Sequence, residues 1–495
     1  MRILRPLLAL AAVALMAGGA AAQEYNRSTF RGLSLREIGP ALTSGRIADF
    51  AVNPENPSEY YVAVASGGVW KTQDAGVTFQ PIFDGQGSYS IGVITMDPNN
   101  PHVLWVGTGE NNAQRSVAYG DGVYKSKDGG RSWQHMGLEE SEHIGKILVD
   151  PRDSDVVWVA AQGPLWDSGG DRGLYKTTDG GEAWEKVLEI SEHTGVTDLV
   201  MDPRDPDVLI AAAWQRQRKV WTLVSGGPES GLYKTTDGGE TWQELTRGLP
   251  TSVDVGRYGL CLSPAAPDYI YAVVEAQHDA GGFYRSTDRG ESWRKVNDWT
   301  SRGNYYQELI CDPVDPDRVF AMDTYTRITT DGGRTLNRFP NPHRHVDDHA
   351  LWIDPDDTRH MIIGGDGGVY ETWSNGRTWH FKRNLPVTQF YKVTVDNDTP
   401  FYNVYGGTQD NWSLGGPSRT LDEEGITNSD WIVTNGGDGF ESAVDPRNPD
   451  IVYAQSQYGN LVRYDRKSGQ SVYIQPQPTG EDEALRWNWD APLLI

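Results

Sequence analysis

One eight-residue motif recurs along most of this chain, and it constrains the fold more than any other feature. The motif reads Ser or Thr, any residue, Asp, any residue, Gly, any residue, Ser or Thr, aromatic, and its first copy spans residues 72–79. Consecutive copies lie 43 to 58 residues apart. Strand-rich repeats of this length indicate β-propeller blades. The repeated acidic residues are Asp74, Asp128, Asp179, Asp237, Asp288 and Asp331, and a seventh copy has Ser374 instead.

A second periodicity gives each blade its internal order. A short turn with Pro, such as Asn53-Pro54 or Asp97-Pro98, precedes each motif and is flanked by apolar segments. Pro and Asp set turn geometry at such sites without a ladder N–H. Each blade therefore reads as strand A, Pro turn, strand B, variable loop, strand C, motif and strand D. We predict an all-β chain of four-stranded blades.

The repeated Asp invites a catalytic interpretation, but its repetition argues against one. Asp and Ser or Thr can bond the local backbone, Gly permits a left-handed turn, and the aromatic residue packs on the blade. A single active site does not need six copies of one motif. We therefore assign the motif to the hairpin that joins strands C and D.

The spacing divides the chain into three parts. Residues 1–22 are predicted to be a cleaved signal peptide, because Arg2 and Arg5 precede a short apolar run and Ala20-Ala21-Ala22. Residues 23–387 are predicted to form a seven-bladed propeller. Residues 388–495 are predicted to begin a second propeller with two blades and one strand at residues 486–495, as part of a longer gene product. The alternative is an incomplete ten-bladed ring.

Charge and composition limit the partners. The formal net charge is -24, which repels nucleic acid and anionic lipid. No apolar run after the leader approaches the ~18 residues that a membrane-spanning helix needs. We predict a monomer, secreted or periplasmic, that has no cofactor or metal and binds a polypeptide or polysaccharide.

The two cysteines, Cys261 and Cys311, lie in consecutive repeats. They differ by one position relative to the turn that follows each, so strand alternation directs them to opposite sheet faces. On this argument a disulfide between them is disfavoured.

Motifs such as residues 176–184 resemble those of the Asp-box (BNR) superfamily. That superfamily includes sialidases, two-propeller xyloglucanases, photosystem II assembly factors and the sortilin-type receptor domain. The whole string, including Ser44-Gly45-Arg46-Ile47 and Gly406-Gly407-Thr408-Gln409-Asp410-Asn411, resembles exported bacterial proteins called glycosyl hydrolase or sortilin N-terminal-like. The resemblance implies a propeller and leaves the function open.

Binding residues are expected on the face formed by the B–C loops and the D–A connections, because these segments vary while the opposite face repeats. Trp can stack on sugars or peptides, and Arg can hold carboxylates. His and Asp at the channel mouth could bind a small ligand. The candidate ligand-binding residues are Trp166, Trp214, Arg216, Arg218, Trp221, His143, His193, His345, Asp347 and His349.

Glycoside hydrolysis needs two carboxylates, about 5 to 9.5 Å apart. The candidates here lie beside Gly or in variable loops: Asp410, Asp438, Asp366 and Glu110. In the xyloglucanases that the chain resembles, one carboxylate comes from the B–C loop of the first blade. The corresponding stretch here has Ala65 at that position.

Three functions remain open. The first is a non-catalytic scaffold that binds proteins, peptides or glycans on the variable face. The second is a glycoside hydrolase, and the third is an assembly factor for exported proteins.

Overall fold

Antiparallel sheets make up almost all of the regular structure, as the sequence predicts. The computed structural model describes residues 29–30, 32, 36–480 and 483–495. The predicted signal peptide, residues 1–22, lies outside the described residues. Nine sheets follow one another along the described part of the chain, and the four main strands of each are in sequence order. The all-β propeller prediction is confirmed. Helical structure in the described part is limited to 3₁₀ turns at Glu139–Ser141, His278–Ala280, Asn428–Asp430 and Gln457–Gly459.

The first seven sheets have the predicted blade order A to D, and the fourth carries an additional strand, β15, that pairs with an extension of β14. Their strands are β1 (Ile47–Val52), β2 (Tyr60–Val64), β3 (Gly68–Thr72), β4 (Gln80–Pro81), β5 (Ile91–Asp97), β6 (Asn100–Thr108), β7 (Val123–Ser126), β8 (Gln134–His135), β9 (Ile144–Asp150), β10 (Asp153–Ala161), β11 (Gly173–Thr177), β12 (Glu185–Leu188), β13 (Thr194–Asp202), β14 (Asp205–Lys219), β15 (Thr222–Ser225), β16 (Gly231–Thr235), β17 (Gln243–Leu245), β18 (Val255–Leu262), β19 (Ile270–Ala276), β20 (Gly282–Ser286), β21 (Arg294–Asn297), β22 (Leu309–Cys311), β23 (Val319–Ala321), β24 (Arg327–Thr329), β25 (Asn337–Arg338), β26 (Asp348–Ile353), β27 (Met361–Gly365), β28 (Gly368–Thr372) and β29 (His380–Phe381).

The seventh sheet packs against the first and closes the ring. Ile47 and Val62 of the first sheet share one apolar cluster with Ile362 and Val369 of the seventh. Lys382 donates from Nζ to the carbonyl of Ala75 at 2.8 Å. Because strands far apart in sequence are joined here, this seam ties the ends of the ring together.

Two further sheets follow the ring. Their strands are β30 (Phe390–Val395), β31 (Asn403–Thr408), β32 (Ser413–Pro417), β33 (Ile432–Asn435), β34 (Gly439–Val444), β35 (Ile451–Ser456), β36 (Asn460–Asp465) and β37 (Gln470–Tyr473). The eighth sheet contacts the ring, since Asn411 donates from Nδ2 to the carbonyls of Ser44 at 3.0 Å and Asp366 at 2.8 Å. Tyr391 of the eighth sheet stacks on Phe440 of the ninth.

The strand predicted at residues 486–495 is wrong. Residues 483–495 form no strand. This segment lies along the ninth sheet through separate contacts, with the backbone N–H of Tyr458 donating to the carbonyl of Trp489 and the side chain of Gln455 donating to that of Ala491. Pro492 follows directly and has no N–H to continue a ladder.

Each Asp box is held by local hydrogen bonds. In the first copy the Thr78 N–H donates to Asp74 Oδ1 at 2.8 Å, and the Gly76 N–H donates to Thr72 Oγ1 at 2.9 Å. In the seventh copy Ser374 Oγ accepts from the Thr378 N–H at 2.9 Å, which preserves the turn without the carboxylate. The motif therefore closes a hairpin.

The Asp boxes also join neighbouring blades, which the sequence analysis did not predict. Lys125 of the second sheet donates from Nζ to the Gly180 carbonyl in the third box at 2.9 Å and lies over the Trp105 ring. In return, Trp184 of the third box donates from Nε1 to the Met136 carbonyl at 2.6 Å. The same Lys contact recurs where Lys176 reaches Gly238 at 2.7 Å. The paired contacts fasten the second blade to the third, and the lysine contact also joins the third blade to the fourth.

The prediction against a disulfide is wrong, because Cys261 and Cys311 are bonded, with their Cα atoms 5.8 Å apart. Their side chains do point to opposite faces of their own sheets. However, successive blades stack face to back, so opposite faces of adjacent blades are the ones that meet. Cys261 accordingly joins an apolar cluster with Leu309 and Val319 of the sixth sheet.

A histidine supports the seventh sheet at the seam. His360 lies 2.9 Å from both Asp354 and Glu371, and Glu371 also pairs with Lys382 at 2.5 Å. Burial alone would lower the pKa of His360, but its hydrogen bonds to the two carboxylates raise it above the ordinary value. The folded protein therefore binds the proton more tightly than the unfolded chain does.

We expect His360→Gln to lower the free energy of unfolding by about 1–2 kcal/mol at pH 6. A raised folded pKa gives stability that is present below the unfolded pKa near 6.5 and is lost as pH rises through the folded value. The difference from wild type should therefore shrink towards pH 9. Urea denaturation at the two pH values measures it, with the exposed His343→Gln as control. An equal difference at both pH values would contradict the ion-pair interpretation.

Candidate functional site

Four aspartates meet where the ring contacts the eighth and ninth sheets, and we call them the acid cluster: Asp347, Asp366, Asp410 and Asp438. Each lies in a B–C loop or a D–A connection, so all four lie on the face that the sequence predicts to bind ligands. Asp366 joins β27 to β28 in a two-residue turn, and Asp410 lies between β31 and β32. The cluster is thus assembled by two structural units, the ring and the eighth and ninth sheets.

Arg46 fixes the part of the cluster inside the ring. Its Nε donates to Asp366 Oδ1 and its Nη1 donates to Glu110 Oε2, both at 2.7 Å. Its Nη2 donates to the Tyr305 hydroxyl. The side chain is 8% exposed, so this planar fork holds three partners in a buried site.

Asp366 is surrounded by donors. Besides Arg46, the Tyr305 hydroxyl donates to Oδ2, and His349 Nε2 lies 3.0 Å from Oδ1. Burial raises the pKa of Asp366, but the charges and hydrogen bonds of Arg46 and His349 outweigh burial and hold it well below the ordinary value. Asp366 is therefore an ionised carboxylate that is fully engaged with the protein.

Asp410 has the opposite environment. Within the described residues no donor reaches its buried Oδ2 atom. Burial first, and then the negative charges of Asp366 and Asp438, raise the pKa of Asp410 to about 9. Burial also raises the pKa of Asp438. At neutral pH Asp410 consequently carries a proton beside an ionised neighbour.

The backbone holds Asp410 in place. Its φ of 61° is in the left-handed region, which costs free energy for a residue other than glycine. The following residue, Asn411, is buried and bound to two ring carbonyls. The docking of the eighth sheet therefore positions the Asp410 carboxyl.

The remaining predicted residues around the cluster come from the sixth-to-seventh connection. The Tyr306 hydroxyl donates to Asp347 Oδ1, and burial raises the pKa of Asp347. His345 Nε2 lies 3.4 Å from the Asp410 carbonyl. The structure thus brings together seven residues that were proposed from sequence as separate candidates: Glu110, His345, Asp347, His349, Asp366, Asp410 and Asp438.

Sequence reasoning missed two residues of this site, Arg46 and Tyr306. Arg46 immediately precedes strand β1, a position at the channel mouth, and that position was the available signal. The two tyrosines flank His349, with Tyr306 stacked on its ring at 5.4 Å and Tyr305 edge-on at 4.9 Å.

Five of the predicted ligand-binding residues are buried, namely His349 beside the acid cluster and four others whose contacts lie within the protein. Trp214 is 1% exposed and packs with Ala113 and Leu165. Arg216 and Arg218 donate to backbone carbonyls of residues 112, 113 and 163. His143 Nδ1 lies 2.9 Å from the Glu110 carbonyl. These side chains order the loops over the channel.

The other predicted aromatic residues are accessible. Trp221 is 82% exposed at the tip of the β14–β15 hairpin, and Trp166 is 42% exposed. The hairpin that carries Trp221 also contacts the loop that carries Trp166, because Lys219 Nζ donates to the Trp166 carbonyl at 3.2 Å. His193 is partly exposed and lies 3.7 Å from Glu192, and no contact described in the structure joins it to the acid cluster.

A polar cavity of about 160 Å³ fills the channel beneath the acid cluster. Arg46 and His349, which contact Asp366, line it together with Glu110, Asp49, Lys146 and Asp198. Among the described residues, no group of three or more His, Cys, Asp or Glu side chains has an arrangement able to hold a metal ion. None of the described helices is long and apolar enough to span a bilayer.

Known proteins share this architecture. The family model for sortilin (neurotensin receptor 3, Vps10) matches residues 121–258. A probable oligoxyloglucan-reducing end-specific xyloglucanase of Neosartorya fischeri is 25% identical over 243 residues, which are 46% of this chain and 26% of that protein. The chain thus spans about a quarter of the length of this curated relative.

Two further matches agree with the Asp-box resemblance. The photosystem II assembly lipoprotein Ycf48 of Nostoc is 27% identical over 177 residues, covering 33% of this chain and 45% of that protein. The crystal structure of a GH74 xyloglucanase from Xanthomonas campestris superposes with a TM-score of 0.63 at 16% identity, covering 90% of this chain and 69% of that chain. The chain has the fold of the Asp-box β-propellers.

Proposed function

We propose that the protein binds a polysaccharide on the face formed by its B–C loops and D–A connections and cleaves a glycosidic bond at the acid cluster. The observation that supports this most is the placement of Asp410. Among the described residues no donor reaches Asp410 Oδ2, and this carboxyl group lies beside ionised Asp366 where the eighth sheet docks on the ring. The sequence similarity to xyloglucanases supports the same reaction class.

The residues divide into chemical and supporting roles. General acid catalysis needs a carboxyl group that is protonated at the working pH, and Asp410 meets that need. It would protonate the leaving glycosidic oxygen. Asp347 and Asp438 are, like Asp410, partly exposed, and one of them supplies the second carboxylate. Asp366 and Glu110 are buried and paired with Arg46, so we assign them support rather than the chemistry expected from sequence.

The site contains carboxyl groups although the first blade has Ala65 at the position of the xyloglucanase carboxylate. Ala65 is buried beside the channel cavity, and the adjacent Ser66 hydroxyl donates to Glu110 Oε1 at 3.3 Å. The turn between strands B and C of the seventh blade provides the supporting carboxylate Asp366, and ring closure brings it to Arg46. The carboxylate set of this chain therefore differs from that of the xyloglucanases it resembles.

Reducing-sugar release from xyloglucan, β-glucans and xylan tests the proposal. We expect the full chain to cleave at least one of these polymers, with products identified by mass spectrometry. Absence of release from every polymer, with binding retained in pull-down or affinity electrophoresis, would overturn hydrolysis and favour a binding scaffold.

A scaffold for polypeptides is the second candidate, and the β14–β15 hairpin favours it. Its base is fixed by buried Arg216 and Arg218, while Val220 and Trp221 at the tip are 91% and 82% exposed. A rigid hairpin with an exposed indole suits either a peptide or a sugar. We further propose that the protein acts outside the cytoplasm, which the Cys261–Cys311 disulfide supports.

Replacing the two tryptophans of this hairpin should give different results. We expect Trp221→Ala to weaken ligand binding without changing stability, because the indole contacts solvent. Trp214→Ala should instead cost about 3–5 kcal/mol of unfolding free energy, as a buried aromatic side chain is removed. Affinity electrophoresis and thermal denaturation measure the two effects. Unchanged binding by Trp221→Ala to the polymers and peptides tested would exclude the hairpin as their platform.

A further inference from the structure

Arg46 contacts neither the open side of the acid cluster nor Asp410 by any described hydrogen bond. It lies in the wall of the ring, where Nε, Nη1 and Nη2 each face a different partner: Asp366, Glu110 and Tyr305. Its guanidinium also lies 4.9 Å from the centre of the Tyr305 ring. Its positive charge also lowers the pKa of Asp410 directly, but burial and the negative charges of Asp366 and Asp438 act more strongly on that carboxyl group. Arg46 therefore acts on the reaction chiefly through the groups that it holds.

The contacts decide which carboxyl group of the cluster takes a proton. Asp366 accepts from Arg46 and Tyr305 and lies beside His349, so both of its oxygens have donors. Asp410 Oδ2 has no donor among the described residues. Two carboxylates at close range resist ionising together, and the proton goes to the one with fewer donors and less positive charge.

We infer that Arg46 is a positioning residue that keeps the proton of the acid cluster on Asp410 by holding Asp366 ionised. This inference rests on the proposed hydrolysis. It identifies the residue that determines which carboxyl group serves as the general acid. Without the Arg46 charge, Asp366 would lose its ion pair and compete for the proton. Asp410 would then ionise at lower pH, and the enzyme would lose its acid in the neutral range.

Other groups face the cluster and must be included in this balance. His345 and Asp347 approach from the sixth-to-seventh connection, His349 from β26, Tyr305 from the fifth-to-sixth connection, and Tyr391 from the eighth sheet. Asp438 approaches from the connection between the eighth and ninth sheets. The Arg46 guanidinium pairs directly with the Asp366 carboxylate, with Nε 2.7 Å from Oδ1. His349 Nε2 lies farther from the same oxygen, at 3.0 Å, and is the second group that stabilises ionised Asp366.

The shape of Arg46 matters as well as its charge. A lysine ammonium at this position is a compact charge that cannot extend a planar fork to Asp366, Glu110 and Tyr305 together. Arg46→Lys should therefore restore part of the effect, whereas Arg46→Met should remove it. Tyr305→Phe removes one donor to Asp366 and leaves Arg46, so it should move the titration of Asp410 in the same direction by less.

The test is a direct titration of Asp410 by ¹³C NMR of labelled carboxyl groups, with the signal assigned through Asp410→Asn, together with the pH profile of hydrolysis. We expect Arg46→Met to move the Asp410 midpoint and the alkaline limb of kcat/KM down by about 1–3 pH units. Arg46→Lys should fall between that variant and wild type. Arg447→Lys, an exposed change, should match wild type.

The outcomes separate the inference from the proposed function. A lowered Asp410 midpoint in a chain that cleaves no polymer would uphold the inference about the proton and overturn the hydrolysis. Hydrolysis with an unmoved midpoint in Arg46→Met would overturn the inference and leave the hydrolysis. If Arg46→Met does not fold, the same titration of Asp410 is carried out on Tyr305→Phe and Arg46→Lys. An Asp410 midpoint that is unchanged in both variants would overturn the inference.

Discussion

Asp410→Asn is expected to reduce glycan hydrolysis by about 10²–10⁴-fold, the usual contribution of a general acid. The amide has the shape of the protonated carboxyl group but has no acidic proton to transfer to the leaving oxygen. Initial rates of reducing-sugar release at pH 7 measure the loss. Asp422→Asn, in an exposed turn of the eighth sheet, is the matched control and should keep full activity.

The same variant should be more stable than wild type at neutral and alkaline pH. A carboxyl group with a raised folded pKa stabilises the fold fully below its unfolded pKa, and that contribution is lost as pH rises through the folded value, about 9 here. The amide does not titrate, so the stability advantage of Asp410→Asn should grow between pH 5 and pH 9. A variant that is less active and less stable at pH 9 would contradict a buried, protonated Asp410.

Loss of the Cys261–Cys311 disulfide is expected to lower the free energy of unfolding by about 4 kcal/mol. The bond closes a loop with a sequence separation of 50, and chain entropy assigns roughly this value to a loop of that length. It also connects the innermost strands of the fifth and sixth blades, so its removal should loosen one boundary in the ring.

Cys261→Ala with Cys311→Ala is the variant for this measurement, because alanine fits the apolar cluster around Cys261. Wild type reduced with a thiol keeps both side chains and isolates the effect of the bond. Guanidinium denaturation with a probe in the ring gives the difference. Two titratable thiols in the untreated native protein, or equal midpoints for the oxidised and reduced forms, would count against the disulfide.

The activity and stability experiments bear on one physical arrangement. The acid cluster concentrates carboxyl groups that repel one another, and Arg46 and His349 offset only part of that repulsion. Such an arrangement costs stability and provides a proton donor, a combination typical of functional sites. We expect neutralising substitutions at Asp347 and Asp438, whose pKa values burial raises, to stabilise the fold as well. Asp366→Asn should instead destabilise it, because ionised Asp366 is paired with Arg46.

The blade architecture was predictable from sequence because it depends on local chemistry. Thr72, Asp74 and Gly76 satisfy one another within a single turn, so the motif specifies a hairpin wherever it occurs. The Pro turns and the strand alternation have the same local character. Repetition then made the pattern visible, since a rule that every blade obeys appears six times with its Asp intact.

The residues of the acid cluster could be predicted from sequence only as separate candidates, not as one cluster. Asp366 and Asp438 each lie between two Gly residues, and Asp410 lies in a variable loop. These positions mark the three residues as candidates but do not show which of them meet. Their meeting requires that the seventh blade pack against the first and that the eighth sheet dock through Asn411. The seam between the seventh and first blades and the Asn411–Ser44 contact each join residues more than 300 positions apart, and no local pattern specifies them.

Tertiary packing alone decided the rest. Trp214 and Trp221 are seven positions apart in one hairpin, yet one is buried and the other exposed, because the loops of the second and third blades cover only the hairpin base. Cys261 and Cys311 point to opposite faces and still bond, because stacked blades bring opposite faces together. The sequence by itself thus determined the repeating blade, through short-range hydrogen bonds and turns. The tertiary structure decided the site, because burial and charge depend on which blades become neighbours.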